Sequence, residues 1–383
     1  MMLITVSNLF PRPDQPNRGL YNYYLFRELA KTDRIQNICI VPSWKVWQWS
    51  TIRRWTVPDP TFPPTTYFPV PYLPWIGRSW NDWFYVWALR QWSKTLKQGD
   101  LVYVPWLYPD GVAVARVMRS SGARLWLMAL GSDTFHLKSP LRRRKILEAC
   151  AQAEGIVCVA QVLADRLADA GVTRAKLHVV PNGVDTSLFR ARDRDELSSA
   201  SKTILSVGNL VPVKGPEVLL KALALLKENN NIPPPRLLLI GSGPMRAQLE
   251  RMARDLGIAD QVQFLGRRPP DEVALWMNRA DVLCLSSRSE GMPNVVLEAR
   301  ASGLPVVTTP AGAIPELSLV GEHFLVVESC SAEALAGGLR QMLGRDLSRR
   351  KPDPAILSWG QMAGKIRQLI GLSCKSCLPM LSF

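Results

Sequence analysis

Short, nearly continuous apolar runs alternate with amphipathic stretches along most of the chain. In the first half, residues 3–6, 37–41, 101–104, 125–130, 156–160 and 177–180 read as strands. In the second half the strand candidates are residues 203–207, 236–240, 262–265, 282–285, 306–308 and 324–327. Runs that are apolar at successive positions suit strands buried on both faces. Helical patterns lie between them. Over residues 20–31, for example, Leu20, Tyr23, Tyr24, Phe26, Leu29 and Ala30 cluster largely on one side. Strand and helix in alternation predict an α/β architecture with parallel sheets. Near residues 190–202 the chain turns polar and charged, which marks a linker. The 383 residues are therefore expected to form a first domain over 1–190 and a second over 203–350. Residues 351–383 form a tail that can cross back to the first domain.

One segment breaks the pattern. Residues 44–97 hold nine of the thirteen tryptophans, crowd prolines at 58–74, and carry seven Lys or Arg against two Asp. Aromatic rings beside cations suit a membrane interface, where the ring body is apolar and its polar edge stays wet. They equally suit sugar stacking, or simple packing of an insertion on its domain. The whole chain carries a formal charge of +15, which attracts nucleic acid, anionic lipid or phosphorylated small molecules. No nucleic-acid recognition motif accompanies the charge, so no nucleic-acid partner is expected. The run Arg142-Arg143-Arg144-Lys145 reads as a solvated face or as an attractor of an anionic surface or phosphorylated acceptor.

Seven cysteines, most in apolar runs, suit reduced thiols more than a disulfide framework. Cys374 and Cys377 make a single CxxC, a weak metal or redox signal. The start lacks a basic leader region, and no stretch reaches about 18 apolar residues. The expected location is cytoplasmic, with peripheral contact at the inner face of a membrane. His136, His178 and His323 show no metal-ligand spacing, and no acidic pair stands in a convincing loop. No metal and no cofactor are expected.

Three segments carry candidate chemistry. Ser206 to Gly215 ends a strand at Gly208, continues through Asn209 and Lys214, and opens a helix near Pro216. Backbone N–H groups at such a turn attract anions, and Lys214 adds a full charge. Gly241-Ser242-Gly243-Pro244 repeats the theme with a tight turn that a ligand can approach. Glu290-Gly291-Met292-Pro293-Asn294-Val295-Val296-Leu297-Glu298 follows a strand, with Pro293 suited to a first helical turn. Glu290 then sits in a loop and Glu298 on the helix, so both can reach one crevice at the strand ends. Taken singly, each is also compatible with an ordinary turn or solvated charges.

Together these motifs resemble family 4 retaining glycosyltransferases. Glu290 through Glu298 has that family's E-x7-E spacing, and Val179-Val180-Pro181-Asn182-Gly183-Val184-Asp185 is similar to its interdomain signature. Val207-Gly208-Asn209-Leu210 with Lys214-Gly215, and Ile240 to Pro244, fall in its order. Asn17-Arg18-Gly19 and Tyr108-Pro109-Asp110-Gly111 resemble exopolysaccharide and teichuronic-acid-type transferases. The resemblance implies two Rossmann-like α/β domains facing across a cleft (the GT-B fold). It also implies a UDP- or GDP-linked sugar as donor and a glycan or lipid-linked acceptor in cell-surface polysaccharide synthesis. Glu290, Lys214 and Asp133 would be catalytic, with Glu290 beside the donor sugar, Lys214 against the diphosphate and Asp133, with Gly131 and Ser132, near the acceptor. Glu298 would hold the ribose. Gly19, Gly208, Asn209, Gly241, Gly243, Gly291, Met292, Pro293, Asn294 and Val295 would complete the donor site. The anomeric configuration would be retained without metal. The family often has Arg where Asn209 stands, and His or Arg where Leu130 stands. A second reading therefore stays open, a weakened or non-catalytic protein of this fold that binds a partner or membrane.

Overall fold

The computed structural model of the chain describes residues 2–57, 59, 62–72, 81–192, 201–227, 234–317, 323–345 and 352–372. They belong to two compact units, Met1–Gly183 with Trp359–Phe383, and Val184–Ser358. Cys374, Cys377, Trp75 and Trp80 lie outside the described residues. Cys39, Cys150, Cys158 and Cys284 are buried free thiols, and Cys330 is a half-buried one.

The first unit is built on seven parallel strands: β1 (Leu3–Ser7), β2 (Ile35–Ser43), β3 (Thr65–Pro71), β4 (Leu101–Val104), β5 (Arg124–Ala129), β6 (Gly155–Cys158) and β7 (Leu177–Val179). Their order is β3-β2-β1-β4-β5-β6-β7. β1, β4 and β6 are buried at every position, as continuous apolar runs require. Strand β3 escapes the hydrophobic pattern because Pro69 and Pro71 interrupt it. It is an edge strand that pairs only with β2. Two prolines two residues apart lose their N–H groups on the same side of a strand, and an edge has one side that needs no donors.

Helix Asn81–Ser93 lies in the same tryptophan-rich segment. It packs on helix Val112–Met118 and buries Tyr85, Leu89 and Trp92. Asp82, in its first turn, is fully buried. Its carboxylate accepts from Lys145 Nζ at 2.8 and 2.9 Å, from Arg116 Nη1 at 2.6 Å and from the Tyr108 hydroxyl at 3.2 Å. The basic run at 142–145 is thus not one solvated face. Lys145 turns inward to Asp82, Arg144 pairs with Glu148 on the helix surface, and Arg142 donates to His136 Nδ1 at 3.0 Å.

The chain returns to the first unit through helix Trp359–Leu369, which packs on helix Leu20–Ala30. Tyr24 stacks on Trp359 with centroids 5.7 Å apart, and Arg367 pairs with Asp33 at 2.9 Å.

The second unit holds six parallel strands: β8 (Thr203–Val207), β9 (Arg236–Ile240), β10 (Val262–Gly266), β11 (Val282–Leu285), β12 (Val306–Thr308) and β13 (Phe324–Val326). Their order is β10-β9-β8-β11-β12-β13. The chain builds outward from β8 to β10, then jumps back to place β11 on the other side of β8. A crevice forms at such a reversal because the two connections leave in opposite directions. Helices Pro216–Lys227 and Ala332–Leu343 cover one face, with Leu219, Leu223, Leu335 and Leu339 in the core.

Replacing Asp82 by Ala leaves two cations without their shared anion. Removing one partner of a buried pair costs about 3–5 kcal/mol. Removing the exposed Arg144–Glu148 pair costs ~0.5 kcal/mol. Chemical denaturation of Asp82→Ala beside Arg144→Ala should show this contrast, and equal small effects would mean the Asp82 cluster is not structural.

Candidate active site

The candidate residues of the second unit converge at the C-terminal ends of β8, β9 and β11. Gly208 and Asn209 leave β8, and Gly241 and Gly243 leave β9. The two loops touch through backbone. Leu210 N–H donates to Ser242 O at 3.0 Å, and Gly208 N–H to Ile240 O at 2.9 Å. A Cβ on Gly241 would lie 1.8 Å from Gly208 O, and one on Gly243 would lie 2.2 Å from Leu210 O.

The β8 loop also meets the β11 loop, across the strand reversal. Gly215 takes a left-handed φ of 58°, and a Cβ there would lie 2.2 Å from Ser286 O. Ser286 Oγ donates to Lys214 O at 3.0 Å, and Arg288 N–H to Val213 O at 2.8 Å. These contacts aim Lys214 at the β11 loop. Its Nζ donates to Glu290 Oε1 at 2.6 Å, and Ser287 Oγ donates to the same oxygen at 2.6 Å. The Glu290 side chain is 8% exposed and that of Lys214 31%.

This arrangement leaves capacity unused. An ammonium has three donors, and Lys214 spends one on Glu290. Glu290 Oε1 is doubly satisfied, while Oε2 has no partner among the described residues. Gly291, Met292 and Pro293 lead into helix Asn294–Ala301, so Pro293 caps this helix where the sequence pattern placed it inside the first turn. Asn294 and Val295 begin the helix, whose first N–H groups have no intrahelical acceptor. Glu298 follows one turn later. Its carboxyl meets no hydrogen-bond donor among the described residues, and burial pushes its pKa up to about 7.

Sequence reasoning did not find Ser286, Ser287 or Arg288, which fix Lys214 and Glu290. Their role follows from β8 and β11 being neighbours, which local spacing does not reveal. It also missed Gly312, where a Cβ would lie 2.0 Å from Glu290 O.

The remaining candidates lie in the first unit. Gly19 caps helix Leu20–Ala30 with φ 62°, and a Cβ there would lie 2.2 Å from Leu9 O. Asp133 is fully buried. Its carboxylate accepts backbone N–H groups from Leu107, Leu130, Gly131 and Thr134, at 2.9 to 3.4 Å. It clamps the loop after β5, and burial raises its pKa to about 6. Asp110, missed as a site residue, clamps the end of β1 in the same way. It accepts from Asn8 N–H at 2.6 Å and Asn8 Nδ2 at 2.8 Å, with a pKa pushed by burial to about 7. Arg18 Nε donates to Asn8 O at 2.9 Å. His136 sits edge-on to Tyr108, its pKa lowered by burial and by Arg142. His178 packs beside Trp126.

Two family models match adjoining stretches of the chain. Glycosyltransferase Family 4 matches residues 52–188, and Glycosyl transferases group 1 matches residues 189–356. Among curated relatives, a GDP-mannose-dependent alpha-(1-6)-phosphatidylinositol monomannoside mannosyltransferase of Mycolicibacterium smegmatis is 30% identical over 59% of this chain and 62% of its own. A D-inositol 3-phosphate glycosyltransferase of Corynebacterium urealyticum is 36% identical over 46% of this chain and 45% of its own. The chain thus spans about half the length of the curated relatives it matches. Among solved structures, sucrose-phosphate synthase from Thermosynechococcus elongatus aligns over 97% of this chain and 100% of its own, with TM-score 0.77 and 20% identity. Anabaena HepE in complex with UDP and glucose aligns over 97% and 100%, with TM-score 0.73 and 18% identity. At these identities the likeness is one of fold, that of the GT-B glycosyltransferases. Adjoining family matches over residues 52–356 and two parallel α/β sheets with glycine-tightened loops lead to one assignment: the chain belongs to glycosyltransferase family 4, within the group 1 glycosyltransferases.

Proposed function

We propose that the protein moves a hexose from a nucleotide diphosphate sugar, UDP- or GDP-linked, to a glycan or lipid-linked acceptor with retention of configuration. The observation that carries this reading is the unused capacity around Lys214, Glu290 and Glu298. A nucleotide sugar brings hydroxyls that need acceptors and a diphosphate that needs donors. Glu290 Oε2 and the Glu298 carboxylate take the sugar and ribose hydroxyls. The two remaining donors of Lys214 and the positive end of the dipole of helix Asn294–Ala301 take the diphosphate. As the glycosidic bond breaks, negative charge grows on the leaving phosphate, and Lys214 is placed to stabilise it. The leaving phosphate then accepts the acceptor's proton on the face it departs from. In this scheme Glu290 binds the sugar's hydroxyls and does not act as a nucleophile. Asp133 positions the loop after β5 and does not touch the sugar. No metal enters this scheme. Turnover is expected to persist in EDTA.

The acceptor side draws on the tryptophan-rich segment. Trp83, Trp87, Arg90 and Lys94 are all exposed and fall at i, i+4, i+7 and i+11, one stripe along helix Asn81–Ser93 and its end. Trp44 and Trp47 are exposed as well, edge to face at 5.7 Å, with Lys45 Nζ over the Trp44 ring. Such rings beside cations fit the headgroup layer of an anionic bilayer. No described helix is long and apolar enough to cross one. The M. smegmatis relative is named for a phosphatidylinositol acceptor, which supports a lipid-linked substrate.

Three experiments test these points. Nucleotide at 100 times its Kd adds about 2.7 kcal/mol of stability. UDP, GDP and ADP are therefore compared by thermal shift, beside Glu298→Ala and Lys214→Ala. One nucleotide should stabilise the protein, and both variants should lose most of the shift. No stabilisation by any of them would leave the non-catalytic reading, to which Asn209 and Leu130 already point. Second, the ionised Glu298 carboxyl is the better hydroxyl acceptor. Affinity for the nucleotide sugar, whose diphosphate does not titrate near neutrality, should fall about tenfold from pH 8 to pH 6, through the raised pKa. Calorimetry on Glu298→Gln should find that slope gone, and an unchanged slope would remove Glu298 from the ribose. Third, the protein should float with phosphatidylglycerol vesicles at low salt, and Trp83→Ala/Trp87→Ala should not. Failure of the parent protein to float would end the membrane reading.

A further inference from the structure

Beyond the donor site, the first unit contains a cavity of about 400 Å³ beside the segment that follows β5. Phe135, Lys138, Arg143, Arg166 and Asp169 line it, with Thr134 next to the Asp133 clamp. Three cations face one carboxylate there, a surplus of two positive charges. None of the three is neutralised. Lys138 Nζ and Arg166 Cζ each lie 5.8 Å from the centroid of the Phe135 ring. Arg143 Nη2 donates to a backbone carbonyl, Ala170 O, at 3.1 Å. Arg166 Nη1 is buried with no acceptor among the described residues. Asp169 is exposed and pairs with none of them.

A folded chain rarely leaves a guanidinium N–H buried and unmet. Two cations resting on one aromatic ring also repel each other, and a cation–π contact does not cancel a full charge. Both costs vanish when an anion enters. We infer that this cavity binds a phosphate monoester. A dianion matches the surplus of two charges, and its oxygens match the planar donors of two arginines. The cavity is far larger than a phosphate, which leaves room for the group that carries it. Phe135, 39% exposed, offers that group an apolar wall. The cavity is formed by the first unit alone, so this inference does not depend on the donor reading above.

The test uses the full-length protein and two phosphate sources. Calorimetry follows glycerol 3-phosphate, with inorganic phosphate as competitor, and flotation follows vesicles containing phosphatidic acid. Flotation is done in the Trp83→Ala/Trp87→Ala background, so that the tryptophan surface does not report. Binding of either source should weaken at least tenfold in Lys138→Gln and in Arg166→Gln, and should fall steeply with added salt. Lys138 is exposed, so its variant should melt at the parental temperature and report on the site alone. Glycerol 3-phosphate binding identifies a soluble ester. Vesicle binding without it, lost in Lys138→Gln, identifies a lipid headgroup. If neither source binds at millimolar concentration, or the variants bind as the parent does, the inference is wrong.

Discussion

The loop architecture of the second unit depends on backbone approaching backbone more closely than any side chain permits. Gly241 lies under Gly208 O, Gly243 under Leu210 O, Gly215 under Ser286 O and Gly312 under Glu290 O. At each of these a Cβ would fall 2.2 Å or less from a carbonyl oxygen, inside any real contact. The loops that end β8, β9, β11 and β12 are therefore cinched by main-chain geometry. Side chains contribute a second layer of fixing, through Ser286 to Lys214 O and Ser287 to Glu290 Oε1. The consequence is preorganisation. Lys214 and Glu290 are held at 2.6 Å with donors and an acceptor to spare, and no loop has to be ordered when a ligand arrives.

Much of this was legible from local pattern. A strand buried at nearly every position is mostly apolar, so β1, β4, β9 and β11 show plainly in the sequence. Strand β3 does not, because an edge strand tolerates Pro69 and Pro71, and prolines read locally as loop. Helix Asn81–Ser93 is hidden for a related reason. Its exposed Trp83 and Trp87 erase the polar face by which an amphipathic helix is recognised. Of the site, Lys214, Glu290 and Glu298 could be read from motif order, yet their mutual geometry could not. It comes from β11 pairing with β8 across the strand reversal, a contact between residues 76 positions apart. Lys145 makes the same point in the other unit. Within a run of four cations nothing distinguishes it, and only the fold brings buried Asp82 to it.

The two units manage charge in opposite ways. In the second, the two cations where the β8 and β11 loops meet each have an anion: Lys214 has Glu290, and Arg288 has Glu217. In the first, Asp82 and Asp110 anchor the interior, but the segment after β5 joins in gathering three cations around a single carboxylate, Asp169. A balanced site suits a ligand that carries its charge to one point and its hydroxyls to others, since spare acceptors matter there as much as spare donors. An unbalanced one suits a compact dianion, because only a full countercharge repays the repulsion among the cations. The exposed tryptophan stripe belongs to the same unit as the unbalanced cluster. The unit whose loops are cinched by glycine thus presents a site fixed by backbone. The other displays aromatic and cationic side chains, which can change without disturbing the sheet beneath them. On the reading proposed above, the donor would be recognised mainly by the second unit's main chain, and the acceptor by the first unit's surface.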